Sequence, residues 1–168
     1  AFQKEGNKLL LVGKTRGEFG GSLYIKELFG ETTGNLNEID YSAELRLWEL
    51  VIEANKKELL SSAKDVGMGG LAISLAKMSA VSGLGVKAKI ELENTRDIFA
   101  ESQSRAILEV SPENIQSVID MAVDLGLHIE PLGEVVSEQF SLNDVAMPVA
   151  KLQSIYRETF AKTIEQDL

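Results

Sequence analysis

Three short stretches hold the residues best placed to do chemistry. Ala100-Glu101-Ser102-Gln103-Ser104-Arg105 packs a carboxylate, two hydroxyls, an amide and a guanidinium into six positions, then runs straight into the apolar Ala106-Ile107-Leu108-Glu109-Val110. A polar cluster at the mouth of a strand can grip a phosphorylated ligand, with Ser102 and Gln103 hydrogen-bonding it while Glu101 or Arg105 fixes the loop. The plain alternative is a solvated loop in which Arg105 pairs with an acid. Gly17-Glu18-Phe19-Gly20-Gly21-Ser22 sets Gly20 and Gly21 just ahead of a helical stretch. Backbone N–H groups at such a helix start can meet a phosphate or a partner domain, although a turn that needs positive φ explains the glycines equally well. Asp65-Val66-Gly67-Met68-Gly69-Gly70-Leu71 joins one carboxylate, Asp65, to a glycine pair.

Other chemistries lack their parts. Gly13-Lys14-Thr15 after a strand suggests a phosphate-binding P-loop, but Lys8 stands where the first glycine of that motif belongs. Gly17, Gly20 and Gly21 miss the dinucleotide spacing. His128 is the one histidine and cysteine is absent, so neither a zinc site nor a Ser-His-Asp relay can be assembled around it. With 26 acidic residues, carboxylate spacings carry little information. The sequence therefore offers candidate binding residues but no catalytic and no metal-ligating set.

The elements that must position these residues follow from periodicity. Lys8 to Gly13 reads as a buried strand and Leu23 to Leu28 as a short helix ended by Gly30; 31–38 has loop composition. Asp40 or Ser42 caps a long helix whose Leu45, Trp48 and Ile52, widened by Leu47 and Val51, are expected to face the core. A second helix after Gly69-Gly70 buries Leu71, Leu75 and Met78 and stops at Gly83 and Gly85. Strict alternation over Val86 to Glu93 predicts a strand with Val86, Ala88, Ile90 and Leu92 inward. Ala106–Val110 reads as a more buried strand, and Ser111-Pro112-Glu113 opens a helix with Ile115, Val118, Met121, Ala122 and Leu125 inward. Leu127–Glu130, Val135-Val136 and Phe140–Leu142 are further strands. A last helix near Pro148 carries Val149, Leu152, Ile155, Tyr156 and Phe160. The expected fold is α/β (α+β), a mixed sheet with helices packed on it.

Composition narrows the function. The 168 residues fit one domain, with 1–7 read as a linker and 8–168 as the domain. A net charge of −9 argues against a nucleic-acid groove, which needs Lys and Arg to neutralise phosphates. No apolar run is long enough for a membrane span. The lack of cysteine fits a reducing cytoplasm. A chain opening at Ala1 reads as a piece of a longer protein.

Together, the Glu-Ser-Gln segment at 101–103, the Gly20-Gly21-Ser22 turn and the 65–71 loop resemble the carboxy-terminal domain of the aminoimidazole-ribonucleotide-synthetase superfamily, most closely the last domain of the phosphoribosylformylglycinamidine synthase family. The 65–71 loop is similar to a signature that usually reads His-Asp-x-Ser-Asp-Gly-Gly-Leu: Lys64 replaces the histidine, Gly67 the serine and Met68 the second aspartate, while Asp65 and Gly69-Gly70-Leu71 match. Half of its polar groups are gone, which favours close packing over chemistry there. The resemblance implies a parent ligase that uses ATP, magnesium and glutamine-derived ammonia to convert formylglycinamide ribonucleotide to its amidine. Its catalytic histidine and metal-binding acids are expected in preceding domains, and this chain is expected to be inactive alone and to need no cofactor. Glu101, Ser102, Gln103, Arg105, Asp65, Gly20 and Gly21 are the implied substrate- or nucleotide-binding positions, facing a companion pocket that holds a structural nucleotide in some members. The implied partners are the preceding domains, a glutaminase and small accessory subunits, with neither nucleic acid nor membrane. Single-repeat synthases and kinases of the superfamily, or a ligand-free interaction module, are the rival readings.

Overall fold

The computed structural model describes residues 1–166, with side chains described through Thr159. Among the described residues, seven strands form one mixed sheet: β1 (Lys8–Val12), β2 (Leu60–Asp65), β3 (Gly85–Ala88), β4 (Ala106–Val110), β5 (Ile129–Val136), β6 (Gln139–Leu142) and β7 (Val145–Pro148). Their order is β2-β4-β1-β5-β3-β6-β7. Every neighbouring pair is antiparallel except β3 and β6. Ser137 and Glu138 alone separate β5 from β6 in sequence, yet the two do not pair, because β3 lies between them. The helices are α1 (Leu23–Phe29), α2 (Tyr41–Lys56), α3 (Gly70–Ser82), α4 (Ile115–Asp124) and α5 (Val149–Gln166). This is the mixed, helix-covered sheet that the sequence predicts.

β1 explains the layering. Successive strand residues point to opposite faces, so Leu9 and Leu11 join one core with Leu71, Leu75 and Met78 of α3, while Leu10 and Val12 join a second with α2 and α4. Both faces of β1 and β4 are therefore buried, and their sequences read as near-continuous apolar runs.

Several expectations need correction. β2 and β7 are edge strands that the sequence reading did not include. The strand expected over Val86–Glu93 stops at Ala88, although its burial alternation continues: Ile90 is buried, Leu92 half-buried, Lys87 and Lys89 exposed. Past Ala88 the Asn143 side chain stands in for a neighbouring strand, accepting from Ile90 N at 2.9 Å and donating to Ile90 O at 3.0 Å. Leu127–Glu130 and Val135-Val136 belong largely to one strand, β5. Gly85 lies in β3 rather than ending α3. Ser111-Pro112 leads into a 3₁₀ turn over Pro112–Asn114 before α4 begins. Phe160 lies outside the residues whose side chains are described.

Two corrections matter more. Residues 2–7, read as a linker, pack into the domain: Phe2 is buried in the α3-side core, and Asn7 is buried as well. They are held by Glu109, a fully buried carboxylate on β4. It accepts from Gln3 N at 3.0 Å, Lys4 N at 3.1 Å, Asn7 Nδ2 at 2.8 Å and Ser62 Oγ at 2.8 Å. The second correction concerns α2, which buries Leu47, Leu50 and Ala54. Leu45, Trp48 and Ile52, expected in the core, are 62%, 56% and 52% exposed, with Tyr41 at 72% on the same side. The helix is apolar on two faces, and only one meets the sheet.

Candidate functional site

The antiparallel pairing gathers the candidate residues at one end of the sheet. The register places Val12 and Asp65 on either side of Ala106, and Ile129 beside Val12, so the ends of β1 and β2 meet the starts of β4 and β5. The 100–105 loop enters β4 at this end.

Arg105 turns inward. It is 3% exposed and donates from Nε to Ser102 O (2.9 Å), from Nη1 to Thr15 Oγ1 (2.9 Å) and from Nη2 to Ala100 O (2.6 Å). Burial lowers its guanidinium to about 10, opposed by the charges of Glu18 and Glu101, so it remains cationic at neutral pH. Ser102 is also buried, and its Oγ accepts from Arg16 N at 3.0 Å. These two side chains brace the loop after β1. Gln103 is exposed, with one hydrogen bond from Nε2 to Glu101 O at 3.2 Å. Ser104 follows at φ 56, the left-handed turn that aims Arg105 inward.

Glu101 links the remaining motifs. One oxygen, Oε1, accepts from Leu23 N and from Gly69 N, both at 2.8 Å. A single carboxylate thereby satisfies the starts of two helices, where the backbone dipoles favour negative charge. The amides after Gly20-Gly21, offered in the sequence reading to a phosphate, are thus committed: Leu23 N to Glu101 and Ile25 N to Ser22 Oγ at 3.3 Å. Gly20 serves a close approach instead, since a Cβ there would lie 1.7 Å from Asn35 O, and Gly21 N donates to Thr33 O at 2.9 Å. Gly20 and Gly21 therefore sit against the 31–38 loop.

Asp65 ends β2 with an exposed carboxylate, held below its usual pKa by the Lys64 ammonium that hydrogen-bonds it. The Gly69-Gly70 pair is again a packing device: Gly70 has φ 67, and a Cβ would meet Ala100 O at 2.6 Å. Asp65, Glu101, Gln103 and Arg105 all border one groove of about 640 Å³, whose opposite wall is Trp48, Val51 and Ile52 of α2, with Met68 alongside. His128 lies outside it, exposed, 3.4 Å from the Glu130 carboxylate. Among the described residues no three His, Cys, Asp or Glu come together as a metal cage, and no helix is long and apolar enough to cross a membrane.

A profile of the AIR synthase related protein C-terminal domain matches residues 4–144. The chain belongs to this family. It is 58% identical over 167 residues to the phosphoribosylformylglycinamidine synthase subunit PurL of Sulfurovum sp., covering 99% of this chain and 23% of that protein. The Sulfurimonas denitrificans subunit is 53% identical over the whole chain, which covers 22% of it. The chain thus spans less than a quarter of these relatives. Among solved structures, Thermotoga maritima PurL complexed with FGAR superposes with a TM-score of 0.74 at 22% identity, over 89% of this chain and 28% of that one. The same enzyme complexed with ATP gives 0.69 at 21% identity, over 90% and 26%. At these identities the structures show a shared fold.

The groove's apolar wall is what the sequence reading missed as a surface. Trp48 and Ile52 carried a signal, apolar residues on both sides of one helix, but periodicity does not say which side meets the sheet.

Proposed function

We propose that this chain is the carboxy-terminal domain of a cytoplasmic phosphoribosylformylglycinamidine synthase, an ATP-dependent ligase that makes the amidine of formylglycinamide ribonucleotide from glutamine-derived ammonia in purine synthesis. End-to-end similarity to less than a quarter of PurL carries this reading. Solved PurL structures carry FGAR and ATP, and one is a PurLQS assembly.

Within the enzyme the domain acts as scaffold and as one wall of an interdomain pocket. Its strongest polar groups are used internally: Glu101 on two helix starts, Arg105 and Ser102 on their own loops. Gln103 and Asp65 are the side chains left facing outward on the groove. A magnesium–nucleotide pair finds no complete site here, because the helix-start amides of Leu23 and Gly69 are occupied and no acid cluster is present among the described residues. ATP, magnesium and the catalytic groups belong to the preceding domains in this reading. The Tyr41, Leu45, Trp48 and Ile52 stripe supports such packing, since an exposed apolar patch of this kind marks an interaction surface. A glutaminase and small accessory subunits complete the assembly.

The test is Gln103→Ala in the full-length synthase. Amidine formation or nucleotide retention should fall, while the 168-residue chain keeps its stability within ~0.5 kcal/mol, as for other exposed substitutions. Unchanged activity and retention would remove Gln103 from the pocket. Turnover by the 168-residue chain alone, with ATP, magnesium, ammonia and formylglycinamide ribonucleotide, would overturn the scaffold role.

A further inference from the structure

A smaller pocket, about 190 Å³, shares Gln103 and Ser104 with the groove. Lys14 and Arg16 of the loop after β1, Arg46 of α2 and His128 before β5 surround it, with Glu38 and Asp40 also in its lining. The collection runs against the composition, because acids outnumber Lys and Arg by 26 to 17 in this chain. The ion pairs of the described residues engage Lys8, Lys56, Lys64 and His128, and none engages Lys14, Arg16 or Arg46.

Two further features mark the pocket. Arg46 Nε and Ser104 Oγ, both of residues lining this pocket, are buried and meet no hydrogen-bond partner within the protein, while Arg46 Nη1 donates to Ser42 Oγ at 2.5 Å. Buried polar atoms of native proteins are nearly always satisfied, by protein, water or ligand. The cationic loop is also held in place before anything binds. Ser102 Oγ fixes Arg16 N at 3.0 Å, Arg105 fixes Thr15 at 2.9 Å, and Gly13 N donates to His128 O at 2.8 Å. Of the two acids, Asp40 is engaged as the cap of α2, accepting from Ala43 N at 2.9 Å. Ala43 itself lines the pocket, so the positive end of a 16-residue helix adds to the field there.

We propose that this pocket binds the phosphate group of a small organic phosphate ester, gripped by Lys14, Arg16 and Arg46, with Gln103 and Ser104 hydrogen-bonding it. The pocket's size favours a compact anion with a few ester atoms over an acidic protein segment, which needs an extended groove. This assignment rests on the chain's own residues and stands whether or not the parent is a synthase.

The experiment titrates inorganic phosphate and ribose 5-phosphate into the ¹⁵N-labelled 168-residue chain at constant ionic strength, following the Gly13, Ala43, Ser104 and Gly126 amides. Saturable shifts are expected, with Kd on the order of 1 mM or below and the sugar phosphate binding more tightly. Lys14→Gln with Arg16→Gln, both on exposed side chains, should weaken binding about fivefold or more through loss of charge-assisted contacts, and Arg46→Gln similarly. Lys87→Gln with Lys89→Gln removes the same charge from the exposed sheet face and should leave Kd within about twofold, as expected of charges screened beyond a Debye length. Shifts that never saturate, or an equal loss in the Lys87 and Lys89 variant, would refute the site. So would saturable binding of a glutamate-rich peptide in the absence of phosphate binding. A sugar phosphate no tighter than inorganic phosphate would overturn the ester.

Discussion

Replacing Glu101 separates a ligand-binding role from a structural one. Its Oε1 receives two N–H groups at 2.8 Å, from the first residue of α1 and from Gly69 ahead of α3. Hydrogen bonds to charged groups contribute about 1.5–3 kcal/mol each. Two of them on a half-buried side chain, less relaxation and rehydration, leave a cost of about 3 kcal/mol for Glu101→Ala. Glu101→Gln is informative because both donors share one oxygen, and an amide carbonyl can take that place. Only charge assistance and the favourable helix-dipole energy are then lost, about 1 kcal/mol. For a domain of this size 1 kcal/mol moves Tm by about 2–4 °C, so thermal unfolding followed by circular dichroism should fall by roughly 6–12 °C for the alanine variant and 2–4 °C for the glutamine. Amide exchange at Leu23 and Gly69 should accelerate in the alanine variant. If Glu101→Ala stays within ~1 kcal/mol of the parent chain, or if glutamine is as damaging as alanine, the two-helix clamp is wrong.

Glu109→Ala should cost about 3 kcal/mol or more in urea unfolding, because Gln3 N, Lys4 N, Asn7 Nδ2 and Ser62 Oγ lose one shared acceptor at a buried site; a loss below ~1 kcal/mol would show that the amino-terminal segment is held otherwise. Gly70→Ala should destabilise by about 2 kcal/mol or more, since it adds strain at positive φ to a Cβ contact of 2.6 Å with Ala100 O; an unchanged unfolding midpoint would mean that the start of α3 shifts freely.

The elements legible in the sequence were those whose own side chains decide their environment. β4 reads as buried because all five of its residues are, and β1 because it is sandwiched. β2 and β7 could not be read this way. Leu60-Ser61-Ser62-Ala63-Lys64-Asp65 has no apolar run, and Val145–Pro148 is mostly exposed; each is a strand by virtue of the neighbour it bonds. The α2 stripe misled because Leu47 and Leu50 compete with Leu45 and Trp48 for one sheet. The polar loop at 100–105 stood out in sequence, but its partition did not: inward Arg105 and Ser102, bridging Glu101 and outward Gln103 depend on Thr15, Arg16, Leu23 and Gly69, which lie far away in the chain.

The placement of β3 between β5 and β6 has a bearing on how the chain is made. During synthesis, Gly85–Ala88 leaves the ribosome about fifty residues ahead of the end of β6, and neither edge it will bond exists until β5 and β6 follow. At roughly 5–20 residues per second that is a wait of several seconds, with Val86 and Ile90 unable to reach their final neighbours. The charged, outward-facing Lys87 and Lys89 interrupt the apolar residues of this segment, and such charges keep an unpaired strand from joining another chain during the interval.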